Sequence, residues 1–290
     1  MTTVATDATA VATNATPSMF SGQARRSTPR RFLMVRPSHF EVVYSINPWM
    51  DLDAPVDRAR AMQEWQTLHD AYISHGHEVE VIEGGEGLPD MVFAANGGLV
   101  VDGIALGARF LHPQRTGEEA LFDAAFTRLG LPLTHPTAVN EGEGDLLASA
   151  TAIYAGHGFR TDPRAHAEVA KVFGREVVTL ELVDPRFYHL DTAMAVLDET
   201  TVAIFAPAFS ASALDTLRSR FETVIEATEA DAVVLGLNIV SDGRNVFLEA
   251  AATALIDQLR AAGFHPIGID MTEFRKSGGA VKCCTLELRP

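Results

Sequence analysis

Apolar segments along this chain repeat in the order strand, strand, helix, strand. Residues 32–36 and 78–82 read as strands, and residues 56–75 between them carry apolar side chains at helical spacing. The unit recurs at intervals of about 50 residues, as expected for a structure built from repeated supersecondary units. This recurrence constrains the fold more than any single motif does.

Pairs of strands between the helices argue against a sheet in which every strand is parallel, because each parallel pair needs a long crossover connection. The ordinary outcome for alternating strands and helices is an open, doubly wound sheet. Five strand–strand–helix–strand units around a common centre instead give a pseudo-symmetric α/β propeller, and the pattern favours that fold. A ring also accounts for the polar residues at corresponding strand ends, since those ends would meet at the centre.

The chain divides into a short tail and one large domain. Residues 1–30 are rich in Ala, Thr and Ser and carry basic residues near their end, without the apolar core of a secretory signal. We expect a solvated, disordered tail here, with a targeting peptide as the alternative. Residues 31–290 are long enough for a large hydrophobic core and are assigned to a single α/β-propeller catalytic domain.

The charge balance excludes several kinds of partner. The formal net charge is −15 at pH 7, which repels nucleic acid and anionic membranes and attracts a cationic small molecule. No run of about 18 apolar residues is present, so no membrane span is expected. The two cysteines are adjacent and cannot build a disulfide framework or a structural zinc site, which favours a reducing cytoplasm. A homo-oligomer is left open.

Nine polar side chains at strand ends or in glycine-lined loops are the candidate site residues. Taken singly, each has an ordinary explanation as a turn residue, a surface ion pair or a buried histidine. The acidic loop at residues 140–145 lacks the glycine spacing of a Ca²⁺ loop, so no metal site is predicted. The nine are Asn47, Asp90, Asn96, Arg115, Glu141, Arg160, His189, Asp191 and Cys283.

The adjacent cysteines provide the candidate nucleophile. Residues 280–288 read as a strand, on which Cys283 and Cys284 would point in opposite directions, one to a pocket and one to packing. Lys282 puts a positive charge beside the thiol, and a cysteine nucleophile needs a nearby cation or histidine to hold its thiolate. The other interpretation is that both cysteines are small buried hydrophobes.

The remaining charged residues suit the two ends of one ligand. His189 can serve as acid and base, and it would share a face with Asp191 on the strand expected at residues 188–197. Arg115 and Arg160 would bind a carboxylate by bidentate hydrogen bonds. A ligand with a cationic end and a carboxylate end is an arginine-like amino acid. The carboxylates suited to its cationic end are Asp90, Asp191 and Glu141.

The motifs resemble those of the guanidine-modifying superfamily over roughly residues 31–289. That superfamily includes dimethylarginine dimethylaminohydrolases, arginine deiminases, arginine:glycine amidinotransferases and arginine dihydrolases. The resemblance implies a five-bladed α/β propeller of ββαβ units, called a pentein, and chemistry without a metal or organic cofactor. The matching segments are PDMVFAAN at 89–96, EGEGD at 141–145, GFRT at 158–161, HLD at 189–191 and GGAVKC at 278–283.

Carried over motif by motif, the resemblance implies a role for each candidate. Cys283 is the nucleophile, His189 is the general acid and base, and Glu141 orients the guanidinium or His189. Arg115 and Arg160 hold the α-carboxylate of the substrate. The remaining substrate contacts come from Asn47, Asp90, Asn96 and Asp191.

Residue 96 separates members of the superfamily. Dimethylarginine hydrolases have Glu-Asp where this chain has Ala95-Asn96, whereas arginine dihydrolases carry the amide, and the NPWM segment at 47–50 also resembles theirs. The resemblance thus implies a dihydrolase, which takes arginine to ornithine, two ammonia and CO₂ through a covalent thiouronium. The alternatives are hydrolysis of dimethylarginine to citrulline and dimethylamine, arginine deimination, and a catalytically silent arginine-binding protein.

Overall fold

The computed structural model describes residues 25–290. Its strands are β1 (Arg31–Arg36), β2 (Glu78–Glu83), β3 (Gly98–Val101), β4 (Ile104–Gly107), β5 (Leu133–Thr134), β6 (Leu146–Ala148), β7 (Ala152–His157), β8 (Glu176–Glu181), β9 (Met194–Val196), β10 (Thr201–Ile204), β11 (Thr223–Glu226), β12 (Val240–Ser241), β13 (Asn245–Glu249), β14 (His265–Ile269) and β15 (Leu286–Glu287). Its α-helices are α1 (Arg58–Ser74), α2 (Glu118–Arg128), α3 (Arg164–Phe173), α4 (Ala211–Arg220), α5 (Glu229–Ala232), α6 (Thr253–Ala261) and α7 (Thr272–Arg275).

The described strands form five three-stranded sheets, which confirms the five-unit α/β propeller expected from the sequence. In each sheet the middle strand pairs antiparallel with one neighbour and parallel with the other, as β4 does with β3 and β5. Parallel neighbours need a crossover connection, and α1, α2, α3, α4 and α6 each connect the two parallel strands of one sheet. We call each sheet with its crossover helix a blade.

The first blade is assembled from distant parts of the chain. β15 pairs antiparallel with β1, placing Phe32 opposite Glu287 and Leu33 opposite Leu286. β1 also pairs in parallel with β2, so β1 is the middle strand of this sheet. The segment that holds both cysteines is therefore fixed against the first strand of the domain.

Helix α1 shows how local sequence sets the blade's outer layer. Asp57 caps the helix, because its carboxylate accepts hydrogen bonds from the backbone N–H groups of the next turn. The buried residues recur at helical spacing and form one face against the sheet. They include Ala61, Trp65, Leu68 and Tyr72.

Two segments with strand-like apolar patterns, one of them at the start of the strand expected at residues 188–197, are 3-10 turns instead. Pro89–Val92 and Ala94–Gly97 form successive turns, and Leu190–Thr192 forms another. Their amides bond to carbonyls three residues back, as Phe93 N does to Asp90 O at 3.0 Å. An N–H used in this way is not available to a strand ladder, so β3 and β9 begin only after the turns.

The cysteines lie in a turn as well, and the strand predicted for residues 280–288 was wrong for its first six residues. Cys284 N donates to Ala280 O at 3.2 Å, and Thr285 N donates to Lys282 O at 2.9 Å. β15 begins only at Leu286. Strand alternation therefore cannot decide which cysteine faces a pocket, and the side-chain contacts have to.

The described part of the chain begins on the surface of the propeller. A tail was expected at residues 1–30, and residues 1–24 of it lie outside the described residues. Arg25 donates from Nε to Ala262 O at 3.1 Å, and its guanidinium lies 3.5 Å from the ring centroid of Phe264. Among residues 25–290, no helix has both the length and the apolar character needed to cross a membrane.

Phe122 on α2 provides a test of the packing between helix and sheet. A Cβ at Gly97 would lie 2.4 Å from the Phe122 ring, and the ring has no exposed surface. Phe122→Ala should lower the free energy of unfolding by about 3–5 kcal/mol, because the lost ring leaves a cavity. The neighbouring Leu121 is 39% exposed, so Leu121→Ala should change it by less than about 1 kcal/mol. Urea denaturation measures both, and equal losses would contradict this packing.

Candidate active site

Five turns meet at the centre of the propeller, and each stands just before the first strand of a blade's hairpin. Hydrogen bonds connect them in sequence: Asn96 contacts Glu141, Glu141 contacts His189, and Cys283 contacts both Asp191 and Asn238. The residues that these turns carry are Asn96 before β3, Glu141 before β6, His189 and Asp191 before β9, Asn238 before β12, and Cys283 before β15.

The Cys283 thiol is buried, with 2% of the residue exposed, and has two polar side-chain partners. Its S–H donates to Asp191 Oδ2 at 3.2 Å, and Asn238 Nδ2 donates to Sγ at 3.1 Å. Burial and the Asp191 carboxylate together raise the pKa of this thiol well above its ordinary value. The resting side chain is therefore a neutral thiol.

The two neighbours of Cys283 point elsewhere. Lys282 was expected to place its charge beside the thiol, but its Nζ donates to Glu143 Oε2 and, at 3.0 Å, to Thr285 O. Cys284 has no exposed surface and belongs to an apolar cluster with Tyr72. Burial raises the pKa of the Cys284 thiol well above its ordinary value. Cys283 is thus the cysteine that faces polar groups.

One carboxylate oxygen of Asp191 accepts hydrogen bonds, and the other has no hydrogen-bond partner among the described residues. Oδ2 accepts from the Cys283 thiol and, at 3.0 Å, from Asn238 Nδ2. Oδ1 is buried and has no hydrogen-bond partner among the described residues. Burial raises the pKa of this carboxyl to about 6, against the lowering influence of His189 and of the hydrogen bonds. An ionised, buried oxygen without a donor marks a position for a cationic donor.

Glu141 links the histidine to an arginine. His189 Nε2 donates to Glu141 Oε2 at 2.7 Å, and Arg160 Nη1 donates to the same oxygen at 2.8 Å. Glu141 Oε1 accepts from Leu111 N at 3.2 Å. Burial would raise the pKa of Glu141, but the Arg160 charge and the His189 hydrogen bond outweigh it and hold that pKa well below its usual range. The carboxylate stays ionised and can stabilise a protonated His189.

Arg115 makes its bidentate contact to a protein carboxylate. Nε and Nη2 donate to the two oxygens of Glu118, each at 2.8 Å. Nη1 donates to Asn96 Oδ1 at 2.7 Å and Nη2 to Asp90 O at 3.1 Å. The Arg115 guanidinium was expected to bind a substrate carboxylate. Its bidentate hydrogen bonds go instead to Glu118, a residue that sequence reasoning did not single out.

Arg160 has fewer protein partners than Arg115. Besides Glu141, it donates from Nη2 to Ile46 O at 2.9 Å, and its guanidinium lies 4.6 Å from the ring centroid of Tyr188. A guanidinium has five N–H donors, and the described residues take only two of those on Arg160. This arginine keeps donors for a ligand.

Asn47 and Asp90 fix the segment that contains Ser277 and Gly278. Asn47 Nδ2 donates to Ser277 O at 3.0 Å, and Ser277 Oγ donates to Asp90 Oδ1 at 2.9 Å. Tyr44 donates to the other Asp90 oxygen at 2.9 Å, and burial raises the pKa of Asp90. Gly278 has φ +84°, and a Cβ there would lie 2.9 Å from Asn47 Oδ1. Both predicted substrate contacts are paired to protein groups in this structure.

Asn96 is held as an amide by groups on both sides. Its Oδ1 accepts from Arg115, and its Nδ2 donates to Glu141 O at 3.2 Å. An aspartate would place a second acceptor against that carbonyl, which is unfavourable in a buried site. A Cβ on Gly144 would lie 2.3 Å from Asn96 Nδ2 and 3.2 Å from His189, so this glycine permits their close approach.

The three acids of the loop at 141–145 have separate structural partners. Glu143 accepts from Lys282, Arg289 and the backbone of Glu287. Asp145 accepts from Leu190 N at 3.0 Å and from Thr161 N at 3.2 Å, which fixes the turn that follows His189. Taken singly, these acids had an ordinary explanation as a solvated turn. Each carboxylate instead accepts hydrogen bonds from protein donors.

Sequence reasoning missed Asn238 altogether. Its Oδ1 accepts from Cys283 N at 2.9 Å and from Ala280 N at 3.2 Å, in addition to the Nδ2 contacts described above. The residue was read as the first position of a hairpin strand. Its place two residues before β12 matches that of Asn96 before β3, and that correspondence could have found it.

The site is closed, and the large cavity of the propeller lies elsewhere. Cys283, His189, Asp191 and Glu141 are each at most 2% exposed. A cavity of about 1720 Å³ opens at the opposite ends of the same central strands, where Ser149, Leu197 and Arg289 line it. None of the four site residues lines that cavity.

Comparisons with known proteins identify the family of this chain. Residues 43–290 match a family model described as N,N dimethylarginine dimethylhydrolase, eukaryotic. The N(G),N(G)-dimethylarginine dimethylaminohydrolase of Mycobacterium tuberculosis is 52% identical over 271 residues, which are 93% of this chain and 90% of that protein. The bifunctional arginine dihydrolase/ornithine cyclodeaminase ArgZ of Synechocystis is 37% identical over 268 residues, which are 89% of this chain and 37% of that protein.

The solved N-terminal domain of ArgZ has the same fold. It aligns with a TM-score of 0.86 at 36% identity, covering 90% of this chain and 98% of that domain, and was solved bound to product as an arginine dihydrolase. A cysteine-to-serine mutant of the same domain was solved bound to substrate.

The buried Glu141 carboxylate predicts a pH-dependent stability difference. Its folded pKa lies below the unfolded value of 4.5, so its stabilisation is fully present above pH 4.5 and is lost progressively as the pH falls from 4.5 towards the folded pKa. Glu141→Gln should lower the free energy of unfolding by about 1–3 kcal/mol at pH 7, and the deficit should shrink as the pH drops below 4.5. Glu226→Gln, in the exposed pair with Arg218, is the control. A deficit equal at pH 7 and pH 3.5 would contradict the assigned charge state.

Proposed function

The chain belongs to the N,N-dimethylarginine dimethylhydrolase family and is a hydrolase of guanidino C–N bonds, and we propose that within this family it acts as an arginine dihydrolase. Its reaction would convert arginine and two waters to ornithine, two ammonia and CO₂. The ArgZ relative carries the dihydrolase name, and the amide at Asn96 agrees with that activity.

The observation that carries the proposal is the unpartnered Asp191 Oδ1 beside the Cys283 thiol. A guanidinium donor at this oxygen would satisfy a buried carboxylate and bring the guanidino carbon to the sulfur. The net charge of −15 draws such a cation towards the protein. No other candidate residue combines an ionised acceptor with contact to the nucleophile.

The first half of the reaction forms a covalent intermediate. A guanidinium bound at Asp191 offsets the carboxylate charge that raises the thiol pKa, so the substrate itself favours the thiolate. The Cys283 thiol gives its proton to His189 and the sulfur attacks the guanidino carbon. The protonated His189, held by ionised Glu141, then passes that proton to the departing ammonia. The product of this step is an S-alkylthiouronium on Cys283.

The second half decides between citrulline and ornithine. Water, deprotonated by His189, adds to the thiouronium carbon. Breaking the C–S bond at this stage releases citrulline. Loss of a second ammonia instead leaves a thiocarbamate, and its hydrolysis releases ornithine and CO₂. We assign the choice to Asn96, because a neutral amide binds a cation less strongly than a carboxylate does and accommodates the uncharged thiocarbamate.

The α-carboxylate of the substrate is assigned mainly to Arg160. This arginine keeps three N–H donors beyond those taken by the described residues, whereas the contacts of Arg115 leave one. Arg115 therefore acts chiefly by holding Asn96, while Asn47 and Asp90 shape the segment over the bound substrate. All these groups belong to one chain, so a homo-oligomer would not be needed to complete the site. A reduced thiol nucleophile supports the proposal of a reducing compartment such as the cytoplasm.

Hydrolysis of dimethylarginine is the second candidate, because the 52% identical relative from Mycobacterium tuberculosis carries that name. It uses the same nucleophile, acid and carboxylate and stops at citrulline. The two candidates differ only in the nitrogen that leaves first and in whether a second hydrolysis, to ornithine, takes place.

Arginine labelled at the guanidino carbon distinguishes the candidates. A dihydrolase releases the label as CO₂ and leaves unlabelled ornithine, whereas a deiminase retains it in citrulline. We expect labelled CO₂ from the native enzyme and no product from Cys283→Ser. Dimethylamine release from dimethylarginine, with no turnover of arginine, would contradict the dihydrolase assignment.

Asn96→Asp tests the residue held responsible for the second hydrolysis. We expect the fraction of label released as CO₂ to fall at least tenfold while citrulline accumulates. The reason is that a charged aspartate favours a bound cation over the uncharged intermediate of the second hydrolysis. Asn245→Ser, which alters a buried amide at the first residue of β13 that donates to Asp242, should leave the product ratio unchanged. An unchanged ratio in Asn96→Asp would remove Asn96 from this role.

A further inference from the structure

Asn238 touches the nucleophile at both its backbone and its sulfur. Oδ1 accepts from Cys283 N at 2.9 Å and from Ala280 N at 3.2 Å. Nδ2 lies 3.1 Å from Cys283 Sγ and 3.0 Å from Asp191 Oδ2. The residue has no exposed surface, so every polar atom of its amide is used inside the site.

The orientation of this amide is fixed by its partners. Two backbone N–H groups can donate only to an oxygen, so Oδ1 must face the turn that carries Cys283. Nδ2 is then directed at the sulfur and at Asp191. Flipping the amide would leave two buried N–H groups facing a donor, which is costly.

The sulfur lacks a cationic partner among its close titratable neighbours. Among the described residues, the side-chain hydrogen bonds of the sulfur go to Asp191 and Asn238, and neither carries a positive charge. The charges of His189 and Lys282 act on the neighbouring Asp191 carboxylate. Lys282 is directed to Glu143. A thiolate formed here therefore depends on a neutral donor, and Asn238 Nδ2 is in position to supply it.

We propose that Asn238 is a further catalytic residue, which donates a hydrogen bond from Nδ2 to the Cys283 sulfur and stabilises the thiolate that attacks the substrate. The assignment rests on the proposed use of Cys283 as the nucleophile. The same amide hydrogen-bonds Asp191 Oδ2, so it also keeps the carboxylate that receives the guanidinium beside the sulfur. A donor that favours the charged form of an acid lowers its pKa.

The repeat supports this assignment independently. The turn before the first hairpin strand supplies a functional side chain in four blades: Asn96, Glu141, His189 with Asp191, and Cys283. The fifth blade contributes Asn238 from the turn before β12, at the same offset of two residues that Asn96 has before β3.

The test measures the ionisation of the thiol without substrate. The rate of Cys283 alkylation by iodoacetamide is followed against pH by mass spectrometry, in a Cys284→Ala background. We expect Asn238→Ala to raise the apparent thiol pKa by about one unit, which makes alkylation at pH 7 about tenfold slower. Asn238→Asp keeps both backbone contacts but replaces the donor by a negative charge, so its shift should be larger.

The controls separate donation from a structural role. Asn245→Ala removes a buried amide of the same blade that donates to Asp242 at 2.7 Å, and its alkylation profile should match that of the background protein. A wild-type profile in Asn238→Ala would overturn the proposal, and if that variant does not fold, a wild-type profile in Asn238→Asp would do so. The experiment uses no arginine, so a shifted profile in an enzyme inactive on every guanidino substrate would reject the proposed function and the catalytic role, and would retain only the stabilisation of the Cys283 thiolate by Asn238.

Discussion

Charged side chains buried at the centre of the propeller have to be paired, and this requirement organises the whole site. Glu141 receives His189 and Arg160, and Glu143 receives Lys282 and Arg289. The pairs of Glu141 with His189 and of Glu143 with Lys282 join different blades. Removing one partner of a buried pair leaves an uncompensated charge that costs about 3–5 kcal/mol. The contacts that hold the centre together are therefore the contacts that orient the reacting groups.

Two buried amides supply hydrogen-bond donors at the acidic centre of the propeller, which an ionised carboxylate cannot do. Asn96 and Asn238 each have their oxygen fixed by donors; the nitrogen of Asn96 then donates to Glu141 O, and that of Asn238 is directed at the Cys283 sulfur. Each supplies a hydrogen-bond donor without adding charge, next to ionisable side chains whose pKa values are already shifted by burial. Their neutrality matters in opposite senses, since Asn96 tolerates an uncharged intermediate whereas Asn238 favours an anionic sulfur.

The repeat and most of the elements could be predicted from sequence, because apolar periodicity over residues such as 78–82 and 56–75 reports burial directly. The turns at 89–97 and 281–284 could not, since their apolar residues match a strand pattern while their amides bond locally. Arg115 was expected to face a ligand because no pattern reveals that Glu118, one helical turn away, takes its fork. Asn238 was missed because a lone amide before a short hairpin strand resembles a turn residue until the ring aligns it with its counterparts.

The pairing of β15 with β1 also sets the order in which the protein can mature. Residues 32 and 287 become neighbours only after the intervening chain has been made, and contacts of such long sequence separation form slowly. Until then β1 keeps an open edge of the kind that other chains can pair with. The turn carrying Cys283 docks in the same event, so the nascent domain acquires its nucleophile at the moment its exposed edge disappears. Reactivity and protection from misassociation thus arrive together during biosynthesis.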